Sequence, residues 1–398
     1  MLPERGDFSF FPTCILPIRR RAGRQRKCRF FRIFRPWSAS FSNSKSEYRK
    51  YLKIKWIYYR KFRYKLLAIN GLYGNVCTVN GGGTDAAPDK PVNSQTMEAN
   101  MTNTIETAKG LTFGTELEYT NISRERAARA IHTVVGGTVR YTGGSYDEWT
   151  VVAPDGRHWK AISDGSLTDR ATSAEVVTPI LKWDDLETLQ AVVRALRHAG
   201  AKTPDCTSQH VHIGIADFNA RQIANIARIF YKQEELILKA AGTLERRLQH
   251  YTRRTDRAFI ERLERAKPTT REALNEAWFG YRNPTPSHYD GARYRDINLN
   301  NVWRMGTVEF RLFNGTTHAG EVKAHIQLCL AIAAKAKTAA CASTKNQRPY
   351  NPASAKYDLR VFLLRLGLIG REFKNTRMHL MKRMPGSSAW KNGRPEGR

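Results

Sequence analysis

The chain lacks any run approaching the roughly 18 uninterrupted apolar residues that a membrane-crossing helix needs, so an integral helical membrane protein is excluded. The mostly apolar stretch at residues 8–18 falls well short. An Arg cluster follows it rather than precedes it, which argues against a secretory signal. Cysteine is sparse: Cys14, Cys28, Cys77, Cys206, Cys329 and Cys341 have neither the density of a disulfide framework nor C-x-x-C metal spacing. That usage points to a reducing compartment and predicts a cytoplasmic protein. The ordinary nucleotide-binding glycine signatures are also missing. There is no Gly-x-x-x-x-Gly-Lys-Ser/Thr, and Gly81, Gly82 and Gly83 lie in a Gly-, Pro-, Asn- and Thr-rich stretch rather than between a strand and a helix. Both a P-loop and a Rossmann site are therefore disfavoured. No internal repeat is visible.

Acidic residues are scarce overall, 36 against 66 Lys+Arg in 398 residues, for a formal net charge of +30. At face value this suggests a phosphate-rich partner. The charge is unevenly placed, however. Residues 1–70 carry 19 Lys+Arg and 3 acids, and residues 345–398 carry 13 and 3. Residues 101–344 carry 33 and 27, an ordinary and mildly basic balance. Four segments follow: a basic, aromatic-rich leader at 1–77, a linker at 78–109, a catalytic-type domain at 110–344 and a basic C-terminal extension at 345–398. In the leader, Arg and Lys alternate with Phe, Trp and Tyr, the composition of a nucleic-acid or membrane-surface contact. The competing reading is a disordered leader, or one lying upstream of a native start at Met97 or Met101. Nucleic acid as a partner rests on the basic extensions alone.

From Gly110 onward, short alternating segments interleave with long helical ones. Strands are predicted at 111–120, 173–178, 209–216, 295–301 and 307–313, with a hairpin over 148–163 turning at Pro154-Asp155-Gly156. Helices are predicted at 123–135, 184–199, 219–242, 317–338 and 358–368, and the stretch after Gly242 is charged and mainly helical. The fold class is α/β of the α+β type, with a mostly antiparallel sheet.

Successive side chains on a strand point to opposite faces. In 111–120, Phe113, Leu117 and Tyr119 lie opposite Gly114, Glu116 and Glu118. In 209–216, Val211, Ile213 and Ile215 lie opposite His210, His212 and Gly214. In 307–313, Val308, Phe310 and Leu312 lie opposite Glu309 and Arg311, and in 173–178 Glu175 lies opposite Ala174 and Val176. Alternation usually means that the polar face meets water. An exposed face would more often carry Thr, Lys and Ser, whereas this one carries a Glu pair, a His pair and a Glu beside an Arg. Four carboxylates on one surface repel one another unless cations lie between them. Hard divalent ions such as Mg²⁺ or Mn²⁺ take oxygen ligands, and an imidazole can complete the shell. Arg311 would then offer a planar donor fork to phosphate. Carboxylates, metals and an arginine on one sheet face are what an ATP-dependent phosphoryl transfer requires.

Phe113-Gly-Thr-Glu-Leu-Glu118, Asp164-Gly-Ser166, Glu175-Val-Val-Thr-Pro179, His210-Val-His212, Asn298-Leu-Asn300 and Thr307-Val-Glu-Phe-Arg-Leu-Phe-Asn-Gly315 occur in this order. Together they resemble the amidoligase family of the carboxylate-amine ligase superfamily, which includes glutamine synthetase and glutamate-cysteine ligase. The resemblance covers about residues 111–342. It implies a glutamine synthetase-like catalytic fold: a curved, mostly antiparallel sheet with helices on its outer face, and ATP with two or three Mg²⁺ or Mn²⁺ ions on the concave face. Carried over by motif, Glu116, Glu118 and Glu175 would ligate metal, with His210 and Glu309 as ligands on the ATP side. His212 and Arg311 would contact ATP phosphates. Asp164, Asn298 and Arg295 are expected at substrate or phosphate contacts. Arg295 and Asn298 are three apart and face opposite ways on a regular strand, so one of them belongs to a preceding loop or a bulge. The implied reaction joins a small-molecule or peptide carboxylate to an amine through an acyl phosphate. Two alternatives remain at this stage: a zinc hydrolase using His210 and His212, and a basic nucleic-acid-binding protein acting through its N-terminal extension.

Overall fold

The computed structural model describes residues 94–394 apart from residues 168, 343, 345 and 346. The leader and linker residues 78–93 lie outside the described residues. Ten α-helices and eight strands occur among those described. Helix α1 (Ser94–Gly110) leads into β1 (Phe113–Thr120), α2 (Arg124–Val135), β2 (Thr138–Gly143), β3 (Glu148–Val152), β4 (His158–Ile162) and β5 (Ser173–Val177). Next come α3 (Leu186–His198), β6 (Ser208–Gly214), α4 (Ala220–Ala241), α5 (Glu245–Gln249), α6 (Arg257–Ala266), α7 (Arg271–Phe279) and β7 (Ile297–Asn298). The chain continues through β8 (Thr307–Asn314), α8 (Ala319–Thr338), α9 (Ala355–Arg365) and α10 (Lys374–Met381).

All eight strands form one open sheet in the order β2-β3-β4-β5-β1-β6-β8-β7, and every neighbouring pair is antiparallel. The α/β class with a mostly antiparallel sheet is thus observed. The apolar residues of the central strands, among them Leu117, Val176, Val211, Ile213, Val308, Phe310 and Leu312, are almost wholly buried. Helices α2, α4 and α8 pack against the sheet. The turns and caps are those the sequence chemistry favours. Gly156 N donates to Ala153 O at 2.9 Å to close the β3–β4 hairpin. Asn219 and Gln222 form a reciprocal capping box at the start of α4, and Gly242 ends that helix in the left-handed conformation at φ +67°.

Four expectations change. Residues 94–109, assigned to a linker, are helical, and α1 packs on α8. Its sequence is polar with little amphipathic periodicity, so the tertiary contact rather than propensity accounts for it. Strand β2 was missed because it is an edge strand exposed along most of its length and shows no core-facing alternation. The strand expected at 295–301 shrinks to Ile297–Asn298 followed by a 3-10 turn at Asn300–Val302, which leaves Arg295 in the preceding loop.

The fourth change concerns residues 345–398, read as a basic extension. They contain α10, which packs on α8 and α4, and α9, which packs on α4 and on α10. For α10 the reason is α8: fifteen of its 20 residues are buried, a helix apolar nearly all round that needs cover on every side, and α9 in turn covers α10 and α4. Leu363 of α9 and Leu380 of α10 are buried accordingly. Leu363→Ala should therefore cost about 2–5 kcal/mol in urea denaturation, as much as a sheet-core truncation such as Ile213→Ala. An unshifted midpoint would show that the C-terminal helices are dispensable cover.

Candidate active site

Pairing across β5, β1, β6, β8 and β7 brings the polar-face residues into register. Glu175 lies opposite Glu118, Glu116 opposite His210, His212 opposite Glu309, and Glu309 opposite Asn298. These are the cross-strand contacts that set side-chain chemistry on a sheet face. His210 Nδ1 lies 2.9 Å from Glu116 Oε2 and 3.6 Å from Glu309 Oε1, while its Nε2 lies 3.0 Å from Ser208 Oγ. His212 Nε2 lies 3.2 Å from Glu116 Oε1 and 3.9 Å from Glu309 Oε1. This Nε2 is buried and without a hydrogen-bond partner, while His212 Nδ1 lies 3.3 Å from Thr307 Oγ1. One ligand atom each from Glu116, His212 and Glu309 lies within 4.8 Å of the other two, which is spacing for a cation.

Glu309 is 1 % exposed and fully engaged. Its Oε2 accepts from Asn298 Nδ2 at 2.7 Å and Asn301 Nδ2 at 2.9 Å, and its Oε1 accepts from Arg311 at 2.5 Å. Burial opposes its ionisation, yet Arg311, His212 and His210 hold its carboxyl down at about 2. Glu116 follows the same logic: burial opposes its charge, and His212 and His210 keep it well below the ordinary carboxylate value. Burial works against a charged His212, but Glu116 and Glu309 prevail and raise it. Glu118 accepts from Ser208 N at 2.7 Å and Ser208 Oγ at 2.5 Å.

Glu175 is the contrary case. Burial first, then the charges of Glu116, Asp164 and Glu118, push it well above the carboxylate range. In the absence of a bound cation these effects favour the protonated form of this side chain. Asp164, in the loop after β4, is thus close enough to be felt by Glu175, although its own oxygen is bonded to Ser166 N at 2.5 Å.

A bulge places Arg311. Gln209 pairs with Phe313 and Val211 with Phe310, so β8 spends one residue more than β6 across this interval. The irregularity turns Phe313 to the helix side, where it stacks on buried His325 at 4.1 Å, and leaves Arg311 on the carboxylate side. The Arg311 amide donates to Asp296 O at 2.9 Å. Arg247, itself buried, donates to the carbonyl of Arg311 at 2.7 Å and fixes the bulge from below.

The structure thus brings Glu116, Glu118, Glu175, His210, His212, Asn298, Glu309 and Arg311 together, with Asp164 at the border. Arg295 is elsewhere: its guanidinium donates to Arg254 O at 3.0 Å and lies 4.0 Å from Asp256. No contact among the described residues ties it to the carboxylates. Ser208, Asn301 and Arg247 are site residues the sequence reading missed. Ser208 precedes His210 by two and shares its face, a signal hidden because the strand was started one residue late. Asn301 sits in a 3-10 turn and Arg247 in a short helix, where no strand period marks them.

A family comparison settles the kinship of this arrangement. Residues 109–333 match the family described as putative amidoligase enzyme. The chain belongs to the amidoligase family. No curated protein matches the chain. The matched span begins at the end of α1 and ends within α8, so it encloses every residue of the carboxylate cluster.

The upward shift of Glu175 gives a pH test. A carboxyl whose folded value is raised contributes stability that is complete below its unfolded value of about 4.3 and is lost as pH rises through the folded value. Glu175→Gln stays neutral and escapes that loss. In EDTA, thermal melts should show Glu175→Gln more stable than the parent at neutral pH and indistinguishable from it below about pH 4. Parallel profiles across the whole range would overturn the assignment.

Proposed function

We propose that this amidoligase is an ATP-dependent carboxylate-amine ligase that forms an amide or peptide-like bond through an acyl phosphate, on a glutamine synthetase-like catalytic sheet. The observation that carries the proposal is the convergence of Glu116, His212 and Glu309 within 4.8 Å, with the Arg311 guanidinium against Glu309. The donor set suits Mg²⁺ or Mn²⁺, of which the resemblance implies two or three. An orphaned imidazole nitrogen faces two carboxylates, and Glu175 sits among like charges that a cation would offset. Glu116, Glu309 and His212 would hold one ion, and Glu116, Glu118 and Glu175 would border another. His212 takes the ligand role expected of His210, because both ring nitrogens of His210 are engaged by Glu116 and Ser208. His210 then serves to position Glu116.

Bound metal and ATP would supply charge neutralisation and the transferable phosphoryl group. The chain's own residues do the rest. Asn298 and Asn301 fix Glu309, Glu309 orients Arg311, and Arg311 offers its remaining N–H groups to phosphate oxygen as charge develops. Arg293 NH1 lies 2.8 Å from His288 Nε2 and Arg304 NH1 lies 3.1 Å from His288 Nδ1. A neutral imidazole has one lone pair, so one guanidinium is left with its other acceptor, the His288 carbonyl at 3.1 Å for Arg293 or Asn301 Oδ1 at 3.4 Å for Arg304, and an anion would be a further partner for this pair of cations. His288 is held low by burial and by both arginines, while Glu116 and Glu309 act on it in the opposite sense, so this cationic edge borders the carboxylates. The acid substrate and the amine are expected to be small molecules or peptides.

The test uses the full chain with Mg²⁺ or Mn²⁺. ADP release should require both a suitable acid and an amine, as found by screening amino acids, short peptides and amines. Arg311→Lys should lower turnover by about 10²–10³-fold with the fold retained by circular dichroism. Glu116→Gln should abolish it. Unchanged turnover in both variants, or ADP release indifferent to the amine, would sink the reading. The hydrolase alternative gains nothing from the geometry, since the converging ligand set contains one histidine and two carboxylates.

A further inference from the structure

A second cluster lies away from the sheet face, where α8 begins. His318 is the N-cap of α8, Glu321 is in its first turn, and His379 comes from α10. One ligand atom from each lies within 4.8 Å of the other two. Glu321 is 8 % exposed, and the two imidazole centroids are 4.8 Å apart at an angle of 59°. Gly320 makes the convergence possible. A Cβ there would lie 2.6 Å from His379 Nε2 and 3.3 Å from His318 Nδ1, so the two nitrogens share the space above a residue that has no side chain.

We propose that His318, Glu321 and His379 bind one zinc-type divalent ion, which staples α10 to the start of α8. Two imidazoles and a carboxylate form a donor set suited to zinc, with water completing the shell, and less suited to Mg²⁺, which prefers oxygen alone. The proposal is independent of the ligase reading, because none of these residues belongs to the sheet cluster.

The groups around the site define the competition. Lys382 Nζ contacts Glu321 Oε1, Arg383 lies 3.9 Å from Glu321 Oε2, and Thr316 Oγ1 donates to that oxygen at 3.4 Å. Without metal, Lys382 is therefore the counter-ion of Glu321. Its side chain is 38 % exposed and can return to water when an ion takes the carboxylate. His318 Nδ1 accepts from Glu321 N at 3.3 Å, a long bond. Ligation through Nδ1 gives it up, and the loss is modest for an exposed cap. In exchange the ion gains three ligands where the ammonium has one.

The experiment is zinc chloride titration of the full chain by calorimetry, together with hydrogen exchange of residues 374–381. In Glu116→Gln, chosen to weaken binding at the sheet face, one zinc equivalent should persist and slow exchange in α10. Adding His379→Asn or His318→Gln should weaken that equivalent by more than about tenfold, since even indirect disturbance of a metal site costs 10–100-fold, and remove the protection. Gly320→Ala should do the same by pushing the two imidazoles out of the shared space without replacing any ligand residue. If Gly320→Ala fails to fold, the two histidine variants decide. Equal zinc affinity and equal α10 exchange with and without the histidine substitutions would overturn the proposal and leave Glu321 as the partner of Lys382 alone.

Discussion

The alternation of side chains along β5, β1, β6 and β8 is the constraint on which everything else depends. It gives the sheet one apolar face, which the helices cover, and one face on which Glu175, Glu118, Glu116, His210, His212, Glu309 and Arg311 have nowhere else to point. Hydrophobic burial on one side thus holds together charges on the other that would separate if free to do so. The cost of crowding is visible in the divergent titration of neighbouring carboxyls. Glu309, bonded by two asparagines and an arginine, is held down at about 2, whereas Glu175, among three like charges, is pushed well above the carboxylate range. Such a separation of chemically identical groups is the kind of perturbed titration that clusters at functional sites.

Much of this was legible in the sequence, because the period of two is a local property. Glu116 and Glu118, His210 and His212, and Glu309 and Arg311 each announce a shared face within three residues. What the sequence could not carry is how the strands pair. The order β5-β1-β6-β8 and its register decide that His212 meets Glu309 and that Glu118 meets Glu175. Nothing in a single strand encodes its partner. Residues supplied by irregular segments were lost for the same reason: Asn301 in a 3-10 turn and Arg247 in a five-residue helix show no period. Arg295 shows the opposite failure. Proximity to Asn298 in sequence suggested a shared role, but the loop before β7 sends its guanidinium to Arg254 and Asp256.

Composition misled at the C-terminal end and not in the middle. The basic charge of 345–398 suggested an extension, yet α9 and α10 keep a buried apolar side, with Leu359, Leu363 and Leu380 inside and the lysines and arginines mostly outside. Net charge speaks to surfaces and partners, and folding follows the pattern of apolar residues instead. Helix α8 connects these observations. It follows β8 directly, lies under the sheet, and is enclosed by α1, α3, α4 and α10, so segments at both ends of the described chain cover the helix that supports the carboxylates.

The β8 bulge sets how this chain can change in length. Because β8 uses an extra residue between Phe310 and Phe313, the faces of everything after it depend on that surplus. Removing one residue there would restore regular pairing only by moving Arg311 off the carboxylate side or Phe313 off His325, since a slip of one inverts a strand. Insertions in the β2–β3 turn, at the far edge of the sheet, disturb neither. The family's tolerance for gain and loss of residues should therefore be steeply graded across one sheet, generous at the β2 edge and nearly absent along four residues of β8.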